Sequence, residues 1–257
     1  MNPIVIPFVN RVPTQQEIEK FRLILSTYQD GSGMLVDGDK TLPGWRDFER
    51  TVAVSFNGKA LESKWIYDVL LPADDLIGFQ YGVSCKMRNT LRVVEKKQRV
   101  TIEVANASGE FWDAIKDVGL TQENYHTNPK LVGIKLIKVV ENWHTNVGIE
   151  NEGTVNNNDS FYLILQWERK SGRYQLFQFP IKLPDPSQLE WQVNGRRLVG
   201  KDEKGVLFEW YGLSGGQLKY YPLANNALWQ SSIFYLEPLP EDTEYGLKQK
   251  AATYFPN

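Results

Sequence analysis

Three polar residues, Asp68, Ser84 and Lys86, are set into two of the most apolar and β-branched stretches of the chain, residues 65–71 and 79–87. Side chains alternate along a strand, so Ile66, Asp68 and Leu70 share one face of the first stretch. In the second, Phe79, Tyr81, Val83, Cys85 and Met87 face one way, while Gln80, Gly82, Ser84, Lys86 and Arg88 face the other. An ionised carboxylate and an ammonium in such surroundings are costly unless they are paired or solvated at the edge of a site. Two readings stand at this point: a plain ion pair at a strand end, or a carboxylate and an amine set together for chemistry.

Other chemistries are excluded by what the chain lacks. Cys85 is the single cysteine of 257 residues, so no internal disulfide forms, and one Cys with two His (His126 and His144) falls short of a structural zinc site. Neither histidine has a Ser or Cys partner pattern for a nucleophilic triad. No glycine-rich phosphate loop is present, so no nucleotide cofactor is expected. Residues 1–13 carry no basic leader followed by an apolar run, and nothing approaches the roughly 18 apolar residues of a membrane span. The expectation is a cytoplasmic protein with no membrane partner.

Net charge is −2, which gives no global pull toward nucleic acid. Residues 86–99 are the exception, with Lys86, Arg88, Arg92, Lys96, Lys97 and Arg99 against Glu95 alone, a local balance of +5.

The elements that must hold these residues are read from periodicity. Thr14 and Glu17 have capping-box spacing, and Ile18, Phe21, Leu25 and Tyr28 follow at helical intervals, predicting a helix over residues 14–29. Trp45, Phe48, Val52 and Phe56 predict a second helix carrying Glu49 beside its apolar face. The stretches 65–71 and 79–87, separated by turn residues 72–75, predict two antiparallel strands joined as a hairpin. Val100, Val104, Phe111 and Ile115 predict a helix starting near residue 100, and residues 129–143 predict another. Beyond residue 150 the pattern is strand-rich, with a hairpin of 161–168 and 174–181 and further strands near Trp191, Leu198, 206–211 and 218–221. The fold class expected is α/β (α+β): a central mixed β-sheet flanked by helices, with a β-rich C-terminal extension. The chain is expected to be a single domain, with a core of about residues 14–150 and an extension of about 151–257.

The order helix with Glu49, strand with Asp68, strand with Ser84-Cys85-Lys86 resembles the PD-(D/E)XK nucleases, and among them the type II restriction endonucleases. Ser84 stands where that family usually has an acid. A subgroup with Ser-x-Lys takes the missing carboxylate from the following helix, which here points to Glu103, with Glu95 as its competitor and Glu110 nearly two turns further on. The resemblance covers roughly residues 45–115. It implies a restriction-endonuclease-like core, hydrolysis of double-stranded DNA with Mg²⁺ (Mn²⁺ able to substitute), 5′-phosphate ends and a homodimer.

These residue types suit that reaction. A hard divalent ion takes one or two carboxylates plus phosphate oxygen and water, which assigns Asp68 and Glu103 as metal ligands. Lys86 beside the attacking water lowers its pKa, orients it, or stabilises developing negative charge. Ser84 supplies a supporting hydrogen bond, and Glu49 orients a metal-bound water. A basic loop after the strand (Arg88, Asn89, Arg92, Lys96, Lys97, Arg99), with Arg173, Arg196 and Arg197 from later turns, is expected to contact DNA, with Asn194 as an adenine reader. The alternatives are a structure-selective repair or junction nuclease of the same fold, and a non-catalytic β-rich module binding carbohydrate or protein.

Overall fold

The computed structural model of the chain describes residues 12–38, 40–61, 66–72, 78 and 80–238. The turn at 73–75, the strand-end residues Trp65 and Phe79, and residues 1–11 of the leader reading lie outside the described residues.

Helix α1, Gln15–Ser26, begins at the expected capping box: the Glu17 amide donates to Thr14 Oγ1 (3.2 Å) and the Thr14 amide to Glu17 Oε2 (2.8 Å). A short hairpin, β1 (Leu35–Asp37) and β2 (Lys40–Leu42), leads into α2, Trp45–Ser55. The start of α2 is pinned by buried Asp47, whose Oδ2 accepts from the amides of Gly44 and Met34, both at 2.8 Å. Phe21 and Leu25 of α1 pack with Phe48 and Val52 of α2 against one face of the central sheet.

That sheet has seven strands. β3 (Lys59–Ala60), β4 (Val69–Pro72), β5 (Gln80–Arg88), β7 (Phe161–Glu168), β8 (Arg173–Pro180) and β13 (Trp229–Gln230) are neighbours in turn, and β14 (Phe234–Tyr235) adds to β8. β6 (Ile102–Asn106) belongs elsewhere. β5 and β7 run parallel, while β4 with β5 and β7 with β8 are antiparallel, so the sheet is mixed as expected. β7 sits at its centre, buried from Phe161 to Trp167, and its continuous apolar run is that of a strand covered on both faces.

Between β5 and β7 the chain forms α3 (Leu91–Lys97), β6, α4 (Ser108–Lys116) and α5 (Pro129–Val147). After β8 it forms β9 (Glu190–Asn194), β10 (Arg197–Asp202), β11 (Gly205–Trp210) and β12 (Gln217–Tyr220). These strands with β6 make a five-stranded antiparallel sheet, β6-β12-β11-β10-β9. Its buried Leu198, Phe208, Trp210 and Leu218 share a core with Leu136 and Ile137 of α5 and with Tyr162, Ile164 and Phe177 from the other face of the central sheet. Each large sheet therefore draws strands from both sides of residue 150.

Two sequence expectations are corrected. Residues 91–97 are a helix rather than a basic loop, closed by Gln98 in the left-handed conformation (φ 55°). The helix expected from residue 100 is strand β6 followed by α4, which starts at Ser108. Val100, Ile102 and Val104 alternate as a strand, and the β-branched run Val100-Thr101-Ile102 favours one. Val100 and Val104 also stand four apart, which is what imitated a helix, and β12, more than a hundred residues downstream, supplies the ladder.

Candidate active site

Asp68 immediately precedes β4, and its amide donates to the Val83 carbonyl of β5 (3.0 Å), so the ladder fixes its height beside Ser84, Cys85 and Lys86. The preceding Tyr67 lies flat over β5 at Gly82, where a Cβ would stand 2.3 Å from the ring; only glycine admits that approach. Tyr67 is anchored beyond by its hydroxyl, which donates to Asn157 Oδ1 (2.7 Å).

The Asp68 carboxylate is held at one oxygen. Oδ2 accepts from the Cys85 amide (2.7 Å), from Lys86 Nζ (2.9 Å) and from Ser84 Oγ (3.4 Å). Among the described residues these contacts all fall on Oδ2, which keeps the Oδ1 lone pairs for another ligand. The expected supporting bond from Ser84 is thus present. Cys85 faces away into the α1–α2 core, and burial pushes its thiol pKa up, with the negative charges of Asp68 and Glu49 adding to the shift.

Two residues further along β5, Arg88 forms an ion pair with Glu103 of β6. Glu103 thus reaches the site from a strand of the second sheet rather than from a helix. Its competitor Glu95 is engaged elsewhere: it pairs with Arg173, which also holds Glu168. Glu49 projects from α2 into the same cavity. Burial raises its pKa to about 7, the negative charge of Asp68 adds to the shift, and the positive charge of Lys86 opposes it.

The cavity measures about 790 Å³ and is lined by Glu49, Asp68, Ser84, Lys86 and Glu103, bringing together all five residues expected to act. Sequence reasoning missed four of its walls: Glu110, Trp143, His144 and Trp45. Glu110 lies in the first turn of α4 and accepts from Trp143 Nε1 (2.7 Å). A helix begun too early at residue 100 had carried it out of reach. The His144 ring lies 5.6 Å from that of Tyr67, and burial lowers its pKa to about 4, so the imidazole is neutral at pH 7.

Four carboxyl groups (Glu49, Asp68, Glu103, Glu110), of which Glu49 is about half protonated at pH 7, against two cations (Lys86, Arg88) leave the cavity with a small negative excess, poor for a bare phosphodiester. Among the described residues no group of three His, Cys, Asp or Glu side chains is arranged to hold a metal ion. The donor set fits the weaker demand of Mg²⁺, one or two carboxylates with the rest water and phosphate. The carboxylates facing the cavity that could serve such an ion are Asp68, paired with Lys86, and Glu103, paired with Arg88.

The residues expected on DNA are dispersed and mostly engaged. Arg88 is in the cavity on Glu103, and Asn89 Oδ1 accepts from the Arg169 amide (3.3 Å). Arg92, Lys96 and Lys97 are exposed on α3. Arg99 donates to the Tyr221 carbonyl (2.6 Å) and pairs with Asp202 (3.3 Å). Arg196 donates to the Leu213 carbonyl (2.7 Å), and Arg197 pairs with Glu209 (2.9 Å) beside the Tyr211 ring.

The chain matches no family model, no curated protein and no solved structure. Among the described residues, no helix is long and apolar enough to cross a membrane.

Proposed function

We propose that this protein is a divalent-metal-dependent nuclease of the type II restriction-endonuclease kind, a homodimer that hydrolyses duplex DNA to 5′-phosphate ends. The observation that carries the reading is the Asp68 carboxylate, held between the Cys85 amide and Lys86 Nζ at the rim of an acidic cavity that also receives Glu49 and Glu103. The resemblance implies a strand carrying Asp followed by one carrying Ser-x-Lys; Asp68 stands one residue ahead of β4, beside Ser84 and Lys86 of β5.

Asp68 and Glu103 would hold Mg²⁺, which when bound supplies positive charge against the phosphate and acidifies a water. The protein's own groups do the rest. Lys86 Nζ, 2.9 Å from Asp68 Oδ2, would place its positive charge beside the phosphoryl oxygens that gain negative charge. Glu49, with a pKa near neutrality, accepts a proton from a water at pH 7 and above. Ser84 and the Cys85 amide fix the Asp68 carboxylate beside Lys86.

Cleavage of a sequence-diverse panel of plasmid and phage DNA with Mg²⁺ tests the proposal. Discrete fragments that vanish in both Asp68→Ala and Lys86→Ala, at matched folded fraction, support it. Absence of cleavage by well-folded protein across Mg²⁺, Mn²⁺ and several salt concentrations overturns it. A second reading, a non-catalytic binding module with a partly buried ion network, is favoured by one feature: both cavity cations are already paired. In that case Lys86→Ala lowers stability and leaves ligand binding intact.

A further inference from the structure

Trp45, the first residue of α2, lines the mouth of the cavity with half of its surface exposed (50 %), although it stands three residues from fully buried Phe48. Its position is fixed. Asp47, two residues on, is 1 % exposed and clamps the Gly44 and Met34 amides, so the helix start and the β1–β2 hairpin move as one piece. Met34 packs against Gly44, where a Cβ would meet its own Cβ at 2.7 Å. Met34 and Val36 are themselves exposed. The guanidinium of Arg46 lies 4.9 Å from the centre of the Trp45 ring, which places a cation on an aromatic plate.

An aromatic plate carrying a guanidinium is matched to a flat, electron-rich heterocycle. The cavity's excess of carboxylates weakens the pull on phosphate at this mouth, so a strand entering there is held by something other than charge. We infer that Trp45 is the stacking site for one unstacked nucleobase of the strand whose phosphate enters the cavity, with Arg46 strengthening the stack. This rests on the nuclease reading above and adds to it a substrate geometry: a base beside the scissile phosphate leaves the helical stack. Within a paired duplex both faces of a base are covered, so the contact is made only where a base is displaced or unpaired.

The test is a difference in binding, read without metal so that no cleavage intrudes. A short fluorescein-labelled duplex with one bulged base is compared with its fully paired counterpart by anisotropy in EDTA, for wild type, Trp45→Phe and Trp45→Ala. Wild type is expected to prefer the bulged duplex by the value of one base on tryptophan, about five- to 150-fold. Trp45→Phe keeps most of that preference, and Trp45→Ala loses it. A preference unchanged in Trp45→Ala overturns the inference and leaves the nuclease reading untouched. Wild type that binds neither duplex and cleaves no DNA overturns both. Should Trp45→Ala instead turn a wild-type dimer into a monomer with its preference for the bulge intact, Trp45 is a subunit contact and the stacking assignment falls.

Discussion

The cavity contains two ion pairs of similar exposure but different construction. Asp68–Lys86 is built inside one antiparallel ladder: the Asp68 amide bonds to β5, the Cys85 amide bonds back to the Asp68 carboxylate, and Tyr67 over Gly82 locks the crossing. Arg88–Glu103 spans two sheets, with Arg88 on β5 of the central sheet and Glu103 on β6 of the five-stranded sheet. Both pairs have side chains about a quarter exposed. The first joins neighbouring strands of one sheet, with the Asp68 end fixed by backbone hydrogen bonds, whereas the second depends on how one sheet docks on the other.

The largest expected effect is on chemistry. Lys86→Ala should reduce DNA cleavage by roughly 10²–10⁴-fold, the usual worth of a group handling proton or charge in the transition state, with steady-state cleavage of a defined fragment as the measurement. Glu103→Gln should reduce it as well, because an amide oxygen is a poorer ligand for a hard divalent ion than a carboxylate; full activity in this variant would remove Glu103 from the metal site and leave it only its pair with Arg88.

On stability, Gly82→Ala is expected to be the more damaging change. A methyl group driven into the Tyr67 ring costs about 1–3 kcal/mol as overpacking, seen as a lower midpoint in urea denaturation. Glu103→Gln should cost about 0.2–1 kcal/mol, since the pair is partly solvated and screened. A reversed order would mean that the sheet-to-sheet contact, not the β4–β5 ladder, carries the site.

A further effect is one of pH. Glu49 has its folded pKa raised from 4.5 to about 7, so the folded protein keeps a proton there that the unfolded chain releases first. Stability at this group is therefore full below about pH 4.5 and lost as pH rises toward 7. Glu49→Gln should remove that slope, and thermal melts of the two proteins at pH 5 and pH 8 would show whether the gap between them changes in this direction.

The legibility of the sequence follows the same division. Asp68, Ser84 and Lys86 were readable because period-two alternation puts polar residues on one face of apolar strands, and consecutive strands pair locally. Glu49 was readable because it borders the apolar stripe of α2. The secondary structure around Glu103 was not, because Val100 and Val104 satisfy both periods and the strand that decides between them, β12, is distant in sequence. Trp45 read as one more apolar helix residue; its exposure is a property of the tertiary packing around Asp47, to which periodicity is blind.

The pairing of β6 with β12 bears on the order in which the protein is made. A ribosome delivers Asp68 and Lys86 early, and β7 and β8 then complete the central sheet around them. The only described strand partner of β6 is β12, Gln217–Tyr220, more than a hundred residues downstream, so Glu103 has no ladder until that segment has been made. A chain released before β12 would keep the Asp68–Lys86 pair but have no ladder to hold Glu103 against Arg88.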